Sequence, residues 1–369
     1  MSARPKRILL VQTQAENAGA QEITRLLGGG LAARGYDVHN LFFFRKSTTF
    51  TEPPNTAYCV DQRPSSPASF LSFCRALARQ IRHAKPDIVL TFQHYGNILA
   101  GPIARLASAA PVVANQVSAL PTMSRLVRTA DYWLGMAGCF KAVTVNSLDV
   151  KRVYEAYPKP YSRRLVYVAH GFEERVSKLT PEQARREFGL PADVTLLGCV
   201  ARLHPLKRLD IAIRMLPLRP AWHLALLGQG PDRERLENLA SELKVADRVY
   251  FVGEVAPTRI GDFLAALDVF VFPTIAETFG LAAVEAAQAG VPVVANGLPV
   301  LREVLSVEDE PAAVFVDASS PENLAAATAS VLESESLKAA LRQSSQRLKS
   351  RYSVDAMVDD YERIFEQIT

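Results

Sequence analysis

Residues Val269–Ala295, VFVFPTIAETFGLAAVEAAQAGVPVVA, decide the fold. Two apolar runs, Val269–Phe272 and Val291–Ala295, have the length and character of parallel strands buried on both faces. Between them a loop ends at Gly280, and an alanine-rich helix is expected over Leu281–Ala289. Glu277 lies in the loop. Glu285 lies inside the helix, among Ala283, Val284, Ala286 and Ala287. A carboxylate on a buried helix is costly unless something pairs with it. Glu285 therefore faces either solvent or a ligand rich in hydroxyl groups, and the stretch alone leaves both open.

The same alternation extends in both directions. Upstream lie TLLGCVA from Thr195, a helix from about Arg208, HLALLG, a helix over Asp232–Leu243, VYFVG and a helix over Arg259–Ala265. Downstream come Ala313–Val316, one long helical region from Glu322 to about Lys349, and an amphipathic helix over Val354–Ile368. The first half has its own series: strands at Arg7–Val11, Val38–Phe44, Asp87–Phe92, Pro111–Ala114, Ala142–Val145 and Leu165–Ala169, with helices from about Ala20, over Ala68–His83 and over Asn97–Ala107. Pro53–Pro67 reads as a surface segment, and Gly28–Gly30 as a close-packing or kink feature within the first helix. Strand–helix alternation in both halves of 369 residues means two doubly wound, mostly parallel α/β domains. We expect them at 1–175, with the C-terminal helix 353–369 packing back on the first, and at 190–350.

Composition is that of a soluble globular protein, with 49% hydrophobic and 22% charged residues. No apolar run approaches the roughly 20 residues that span a bilayer, and the start, MSARPKRILLVQTQ, lacks the pattern of a signal peptide. Four scattered cysteines form no metal-binding spacing. These features lead us to expect a cytoplasmic protein with reduced thiols and no required metal. The charge is uneven. Residues 1–180 carry 23 Lys+Arg against 11 Asp+Glu, a net of +12, and residues 181–369 carry 19 against 27, a net of −8. The first half therefore suits either an anionic partner, whether a phosphorylated acceptor, an acidic lipid surface or nucleic acid, or a dispersed solvated surface. The stretch from Ser118 to Ala142 mixes Trp133, Tyr132 and Leu126 with Arg125 and Arg128, a composition suited either to a membrane surface or to a core-packed helix with snorkelling arginines.

Ligand sites in open α/β sheets lie at the carboxyl ends of strands. In the second half these ends carry Arg202-Leu203-His204-Pro205-Leu206-Lys207, Gly228-Gln229-Gly230-Pro231, Gly253-Glu254 and Pro273-Thr274-Ile275-Ala276-Glu277. A diphosphate needs cations and N–H donors, which Arg202, Lys207 and the helix opening after Gly280 supply. Sugar hydroxyls need acceptors, which Glu277 and Glu285 supply. In the first half, Gly19 precedes a helix, and His94 follows the Asp87–Phe92 strand. The GxGxxG dinucleotide fingerprint is absent, which argues against a nicotinamide oxidoreductase.

These residues carry a family resemblance. ARLHPLKRLD resembles the phosphate-binding segment of retaining glycosyltransferases with the GT-B fold, especially family 4 (glycosyl transferases group 1). GQGPDRERLENLA resembles the family's glycine loop and VYFVGEV its next strand. Glu277 and Glu285, flanking Phe279-Gly280-Leu281, match its pair of glutamates separated by seven residues. AGAQE and YSVDAMVDDYERIFEQI are similar to its first glycine loop and its last helix. The resemblance spans essentially the whole chain and is stronger after residue 190.

The resemblance implies two Rossmann-like doubly wound parallel-sheet domains facing a cleft. It implies transfer of a sugar from a UDP-, GDP- or ADP-sugar to a saccharide, lipid-linked or phosphorylated glycan, with retention and no other cofactor. Polysaccharide or lipopolysaccharide biosynthesis is the expected setting, with no nucleic-acid partner, and the basic first half suits a cytoplasmic protein with a peripheral place on the inner face of the cytoplasmic membrane. Arg202 and Lys207 would stabilise the departing diphosphate, Glu277 would contact the sugar, and Glu285 would hold ribose hydroxyls. Gly228, Gly230 and the backbone at Phe279-Gly280-Leu281 would hold phosphate and sugar, and Gly19 would admit the donor. The chain departs from the family after Pro111–Ala114, where a histidine is usual and Asn115-Gln116-Val117-Ser118 stands here. Either Gln116 takes a hydrogen-bonding role, or His94 reaches the sugar. Rival readings are a sugar-nucleotide epimerase of the same fold and a non-catalytic sugar-nucleotide-binding protein.

Overall fold

The computed structural model describes residues 4–16, 18–46, 50–118 and 123–369. The first residues of the basic N-terminus and residues 119–122, on which expectations above partly fall, lie outside the described residues. The chain divides into two compact units. One comprises the residues up to Glu173 together with Tyr352–Thr369, and the other comprises Glu174–Arg351.

The first unit is built on a seven-stranded parallel sheet. Its strands are β1 (Arg7–Ala15), β2 (Asp37–Arg45), β3 (Thr56–Tyr58), β4 (Ile88–Phe92), β5 (Val112–Gln116), β6 (Ala142–Val145) and β7 (Leu165–Tyr167), in the spatial order β3-β2-β1-β4-β5-β6-β7. The second unit has a six-stranded parallel sheet of β8 (Thr195–Val200), β9 (Trp222–Leu227), β10 (Val249–Gly253), β11 (Val269–Phe272), β12 (Val293–Asn296) and, after a two-residue hairpin of β13 (Ser306–Val307) with β14 (Glu310–Pro311), β15 (Val314–Val316). The order is β10-β9-β8-β11-β12-β15. Both sheets reverse direction once, at β1/β4 and at β8/β11. That topological switch opens a crevice beyond the strands' carboxyl ends.

Several sequence expectations need correction. β1 runs on through Gln12–Ala15, where polar residues disguise a strand. Gln12 and Thr13 are buried, and the ladder to β2 continues as Gln12↔Phe42 and Gln14↔Phe44. Pro53–Pro67 contains the edge strand β3. The expected single helix Glu322–Lys349 is two helices, Pro321–Glu333 and Glu335–Arg351. Ser334 between them is extended, and its hydroxyl accepts from the Leu337 N–H, which caps the second helix. The helix expected from Asn97 begins at Gln93, passes through one π turn over Gly96–Ala100 and ends at Ala107.

The helix Gly19–Ala33 meets the C-terminal helix Val354–Ile368 at Gly30. A Cβ there would lie 2.6 Å from a Val358 methyl. The glycine run is thus a close-packing feature. Tyr361 of the C-terminal helix donates to the Asn115 side-chain oxygen, and Arg34 pairs with Glu362 at 2.7 Å.

His170 is buried beside Asn146, with Nε2 2.9 Å from the amide nitrogen, and burial pushes its pKa down to about 3. A histidine held neutral by the fold contributes stability that is full above the unfolded value near 6.5 and is lost as pH falls below it. Between pH 7 and pH 5 this residue alone removes about 2 kcal/mol from the unit that holds it. Thermal denaturation should therefore show a falling Tm over that range. His170→Asn should flatten the decline, and an unchanged pH dependence in that variant would rule the account out.

Candidate functional site

In the second unit the site grows from the switch point. The segment after β8 and the segment after β11 are tied together by backbone. The Ile275 N–H donates to the Leu206 carbonyl at 3.0 Å, and the buried Thr274 hydroxyl donates to the same carbonyl at 3.2 Å. The Asn296 amide, at the end of β12, donates to the Thr274 carbonyl at 2.9 Å and fixes the other flank. A short 3-10 turn, Pro205–Lys207, then delivers Lys207 to Glu277. The ammonium lies 2.5 Å from Oε1, with both side chains largely buried and the cation above the Phe272 ring. Arg202 is exposed and, among the described residues, forms no ion pair. The site thus combines one committed cation with one uncommitted cation.

Gly280 sits at φ +93°, a left-handed conformation that glycine adopts without a Cβ penalty. A Cβ there would also meet Leu301 at 2.5 Å. Gly280 opens the helix Leu281–Gln288, whose first turn has no side-chain cap. Ala283 and Val284 turn their N–H groups back to the Gly280 carbonyl, and the helix presents its positive end toward the loop. Phe279 is buried and Leu281 half-buried.

Glu285 faces inward. It is 9% exposed, and Oε1 lies 3.2 Å from Nε of Arg175, itself 8% exposed. Arg175 also donates through Nη1 to the Pro257 carbonyl at 3.0 Å. The solvent-facing alternative for Glu285 is therefore excluded. The odd carboxylate in an alanine helix has a protein partner, which the sequence reading missed because Arg175 stands 110 residues away in a polar connecting segment.

The glycine loop after β9 has a structural reason of its own. A Cβ on Gly228 or Gly230 would fall 2.1 Å from the carbonyl oxygens of Ala201 and Leu203 respectively. The two loops interlock instead through Ala201 N–H to Leu227 O and Leu203 N–H to Gln229 O, both at 3.0 Å. These glycines hold the Arg202 segment in place.

In the first unit, Gly19 and His94 both lie at the β1/β4 switch point: Gly19 opens the helix after β1, and His94 stands in the first helical turn after β4. Gln93, at φ +63°, bonds Thr13 of β1 at 2.5 Å, and this strained residue aims the turn. His94 is half-buried, with Nδ1 3.1 Å from the Ser118 hydroxyl, and burial lowers its pKa, so it is neutral at pH 7. Gln116 does not take the missing histidine's place. It is fully buried, and its amide donates to Asp131 at 2.6 Å and contacts the Tyr161 hydroxyl at 3.1 Å. Burial holds the Asp131 carboxyl above its ordinary range. The alternative that used Gln116 is therefore corrected: its side chain points into the core.

Among the described residues no group of three or more His, Cys, Asp or Glu side chains could hold a metal ion, and no helix is long and apolar enough to cross a membrane. The four cysteines are unpaired, and burial pushes Cys59 up to about 12 and Cys139 up to about 11.

Known proteins resemble this chain. Residues 181–348 match the family model for glycosyl transferases group 1, and residues 18–174 match that for Glycosyltransferase Family 4. The D-inositol 3-phosphate glycosyltransferase of Acidothermus cellulolyticus is 36% identical over 165 residues, or 41% of this chain and 36% of that protein. That of Mycolicibacterium smegmatis is 34% identical over 195 residues, or 49% and 43%. The chain thus spans less than half the length of either relative. Among solved structures, Anabaena HepE in complex with UDP and glucose superimposes with TM-score 0.83 at 18% identity, covering 97% of this chain and 99% of that one. WaaG, a glycosyltransferase involved in lipopolysaccharide biosynthesis, superimposes with TM-score 0.76 at 16% identity, covering 98% and 99%.

Proposed function

The chain belongs to the group 1 glycosyltransferases and has the GT-B fold, and from that premise we propose that it transfers a sugar from a nucleotide diphosphate sugar to an acceptor hydroxyl with retention of anomeric configuration. The observation that carries the reading is the Lys207–Glu277 ion pair at the β8/β11 switch point, with exposed Arg202 on the same segment as Lys207. When the bond from the anomeric carbon to the diphosphate breaks, negative charge builds on the leaving oxygen. Lys207, already ordered by Glu277, and Arg202, whose fork suits a phosphate, stabilise that charge without reorganising. The uncapped helix after Gly280 adds N–H donors and a positive dipole end. Glu277 then has its second oxygen for a sugar hydroxyl, and Glu285 serves the ribose from a position set by Arg175.

We give the acceptor to the first unit, with Gly19 at its switch point admitting the donor and His94 reaching the sugar. The net +12 of residues 1–180 supports a saccharide that is phosphorylated or lipid-linked. The names of the inositol-phosphate relatives point the same way. No metal is given a role in the reaction.

A thermal-shift screen of UDP-, GDP- and ADP-sugars tests the donor. At a hundredfold excess over Kd the matching donor should stabilise the protein by about 2.7 kcal/mol. Product analysis then separates the readings. Donor turnover that requires an acceptor supports transfer. Conversion of the sugar nucleotide alone would indicate an epimerase, and binding without turnover over an acceptor panel would indicate a binding protein.

A further inference from the structure

In the first unit, the connections from β3 to β4, β4 to β5, β5 to β6 and β6 to β7 all step the same way across the sheet. Right-handed crossovers therefore place their helices on one face. Those helices are Pro67–Ala84, the run from Gln93 to Ala107, Arg125–Met136 and Leu148–Glu155. They share one core: Phe73, Leu77 and Ile81 of the first and Ala100 and Ala104 of the second are buried in it, and Leu134 of the third packs against it. The outer surface of this layer is unusual in two respects.

Its first three helices are basic without acidic relief, and the fourth balances Lys151 and Arg152 with Asp149 and Glu155. Pro67–Ala84 contains no Asp or Glu, nor does Gln93–Ala107, and the single acid of Arg125–Met136 is Asp131, which is 1% exposed and turned inward. Against this stand six exposed arginines: Arg75, Arg79, Arg82, Arg105, Arg125 and Arg128. Among the described residues none of the six forms an ion pair, whereas most arginines elsewhere in the unit do.

It is also studded with apolar side chains that point outward. Leu106 is 89% exposed, Leu126 83% and Trp133 62%, and Phe70 and Leu71 are exposed as well. Their spacing is helical. Leu71, Arg75, Arg79 and Arg82 follow one stripe, opposite buried Phe73, Leu77 and Ile81. Leu126, Thr129 and Trp133 follow another, opposite buried Val127, Asp131 and Gly135. The expectation of a core-packed helix with snorkelling arginines therefore fails for Trp133 and Leu126, whose bodies lie on the surface.

We propose that this helical layer docks on an anionic lipid bilayer, with the arginines meeting headgroups and Trp133, Leu126, Leu106 and Phe70 entering the interface. Unpaired guanidinium groups interleaved with exposed leucine and tryptophan match the polar and apolar depths of such a surface. A nucleic acid would use the charge but leaves the leucines in water. The inference rests on the first unit alone and stands whether or not the transfer reaction is as proposed.

The test is co-sedimentation of the full chain with phosphatidylcholine vesicles and with vesicles in which about a third of the lipid is phosphatidylglycerol. Binding should require the anionic lipid and weaken with salt. Trp133 and Trp222 are the two tryptophans, and Trp222 is buried in the second unit, so a vesicle-dependent blue shift of emission reports Trp133. Replacing Arg75, Arg79 and Arg82 together by Gln should lower partitioning by roughly a hundredfold. Leu126→Gln with Trp133→Gln should weaken binding and remove the shift, and both variants should keep the parent's Tm because the altered side chains are exposed. Absence of binding to the anionic vesicles at low salt would overturn the proposal. So would binding without a Trp133 shift, or equal binding to heparin and vesicles that the Leu126/Trp133 variant does not alter.

Discussion

Lys207→Ala should lower kcat for sugar transfer by about 10²- to 10³-fold while Tm moves little. Among the described residues Lys207 is the one ammonium fixed at the β8/β11 switch point. Three layers of structure fix it: the turn Pro205–Lys207, the backbone tie from Leu206 to Thr274 and Ile275, and the 2.5 Å pair with Glu277. A cation held before the reaction starts costs nothing to orient when charge develops. A quarter of the Lys207 side chain stays in solvent, so removing it costs less than removing a fully buried partner, and the fold should survive its loss. Lys207→Arg should recover part of the rate, because the charge returns on a longer, planar group. Arg202→Ala should show a smaller fall and a larger rise in KM, since exposed Arg202 forms no ion pair among the described residues. Circular dichroism and steady-state kinetics on the purified variants check both, and full turnover in a folded Lys207→Ala protein would end the assignment.

Glu285→Ala should destabilise the second unit by about 3 kcal/mol, read as a fall in Tm of roughly 10 °C. The cause lies in the protein, not in the donor. Removing the carboxylate leaves the buried Arg175 guanidinium without the group facing its Nε, although Nη1 keeps the Pro257 carbonyl. Loss of activity in Glu285→Ala therefore has two sources, and the alanine variant cannot separate them. Arg175→Gln separates them, because it disturbs the pair and keeps the carboxylate. If Glu285 serves the ribose, Arg175→Gln should lower Tm and raise the Kd for nucleotide only severalfold. Glu285→Gln, which keeps the shape and removes the charge, should raise that Kd much more. Equal Kd values for the two variants in calorimetry would assign Glu285 to the fold alone.

The same residue shows why part of the site was legible and part was not. Glu285 stood out because a carboxylate among alanines breaks a local pattern, and local patterns are what a sequence displays. Its partner did not stand out, because Arg175 is an ordinary arginine in an ordinary polar segment until the fold brings it close. Gln116 failed the other way. Its position at the end of β5 suggested a ligand contact, and only packing shows that it is fully buried, with its amide nitrogen donating to Asp131 and Tyr161. Gly228 and Gly230 were legible as special positions but not for their reason. A glycine admits any close neighbour, and here that neighbour is the backbone at Ala201 and Leu203.

Period and composition alone determined that this chain forms two parallel α/β sheets, because apolar strand runs and helical spacing are local properties that burial on both faces imposes. They also placed Arg202, Lys207, Glu277 and Gly280 at strand ends. Tertiary structure decided which of those ends meet, because strand order is set by long-range packing. β8 and β11 are neighbours although about 70 residues separate them. It decided that Lys207 pairs with Glu277 and Glu285 with Arg175, because a buried charge takes whichever opposite charge the fold carries within reach. It decided, finally, that six arginines and a tryptophan share one outward layer, since only the handedness of three successive crossovers puts their helices on the same face.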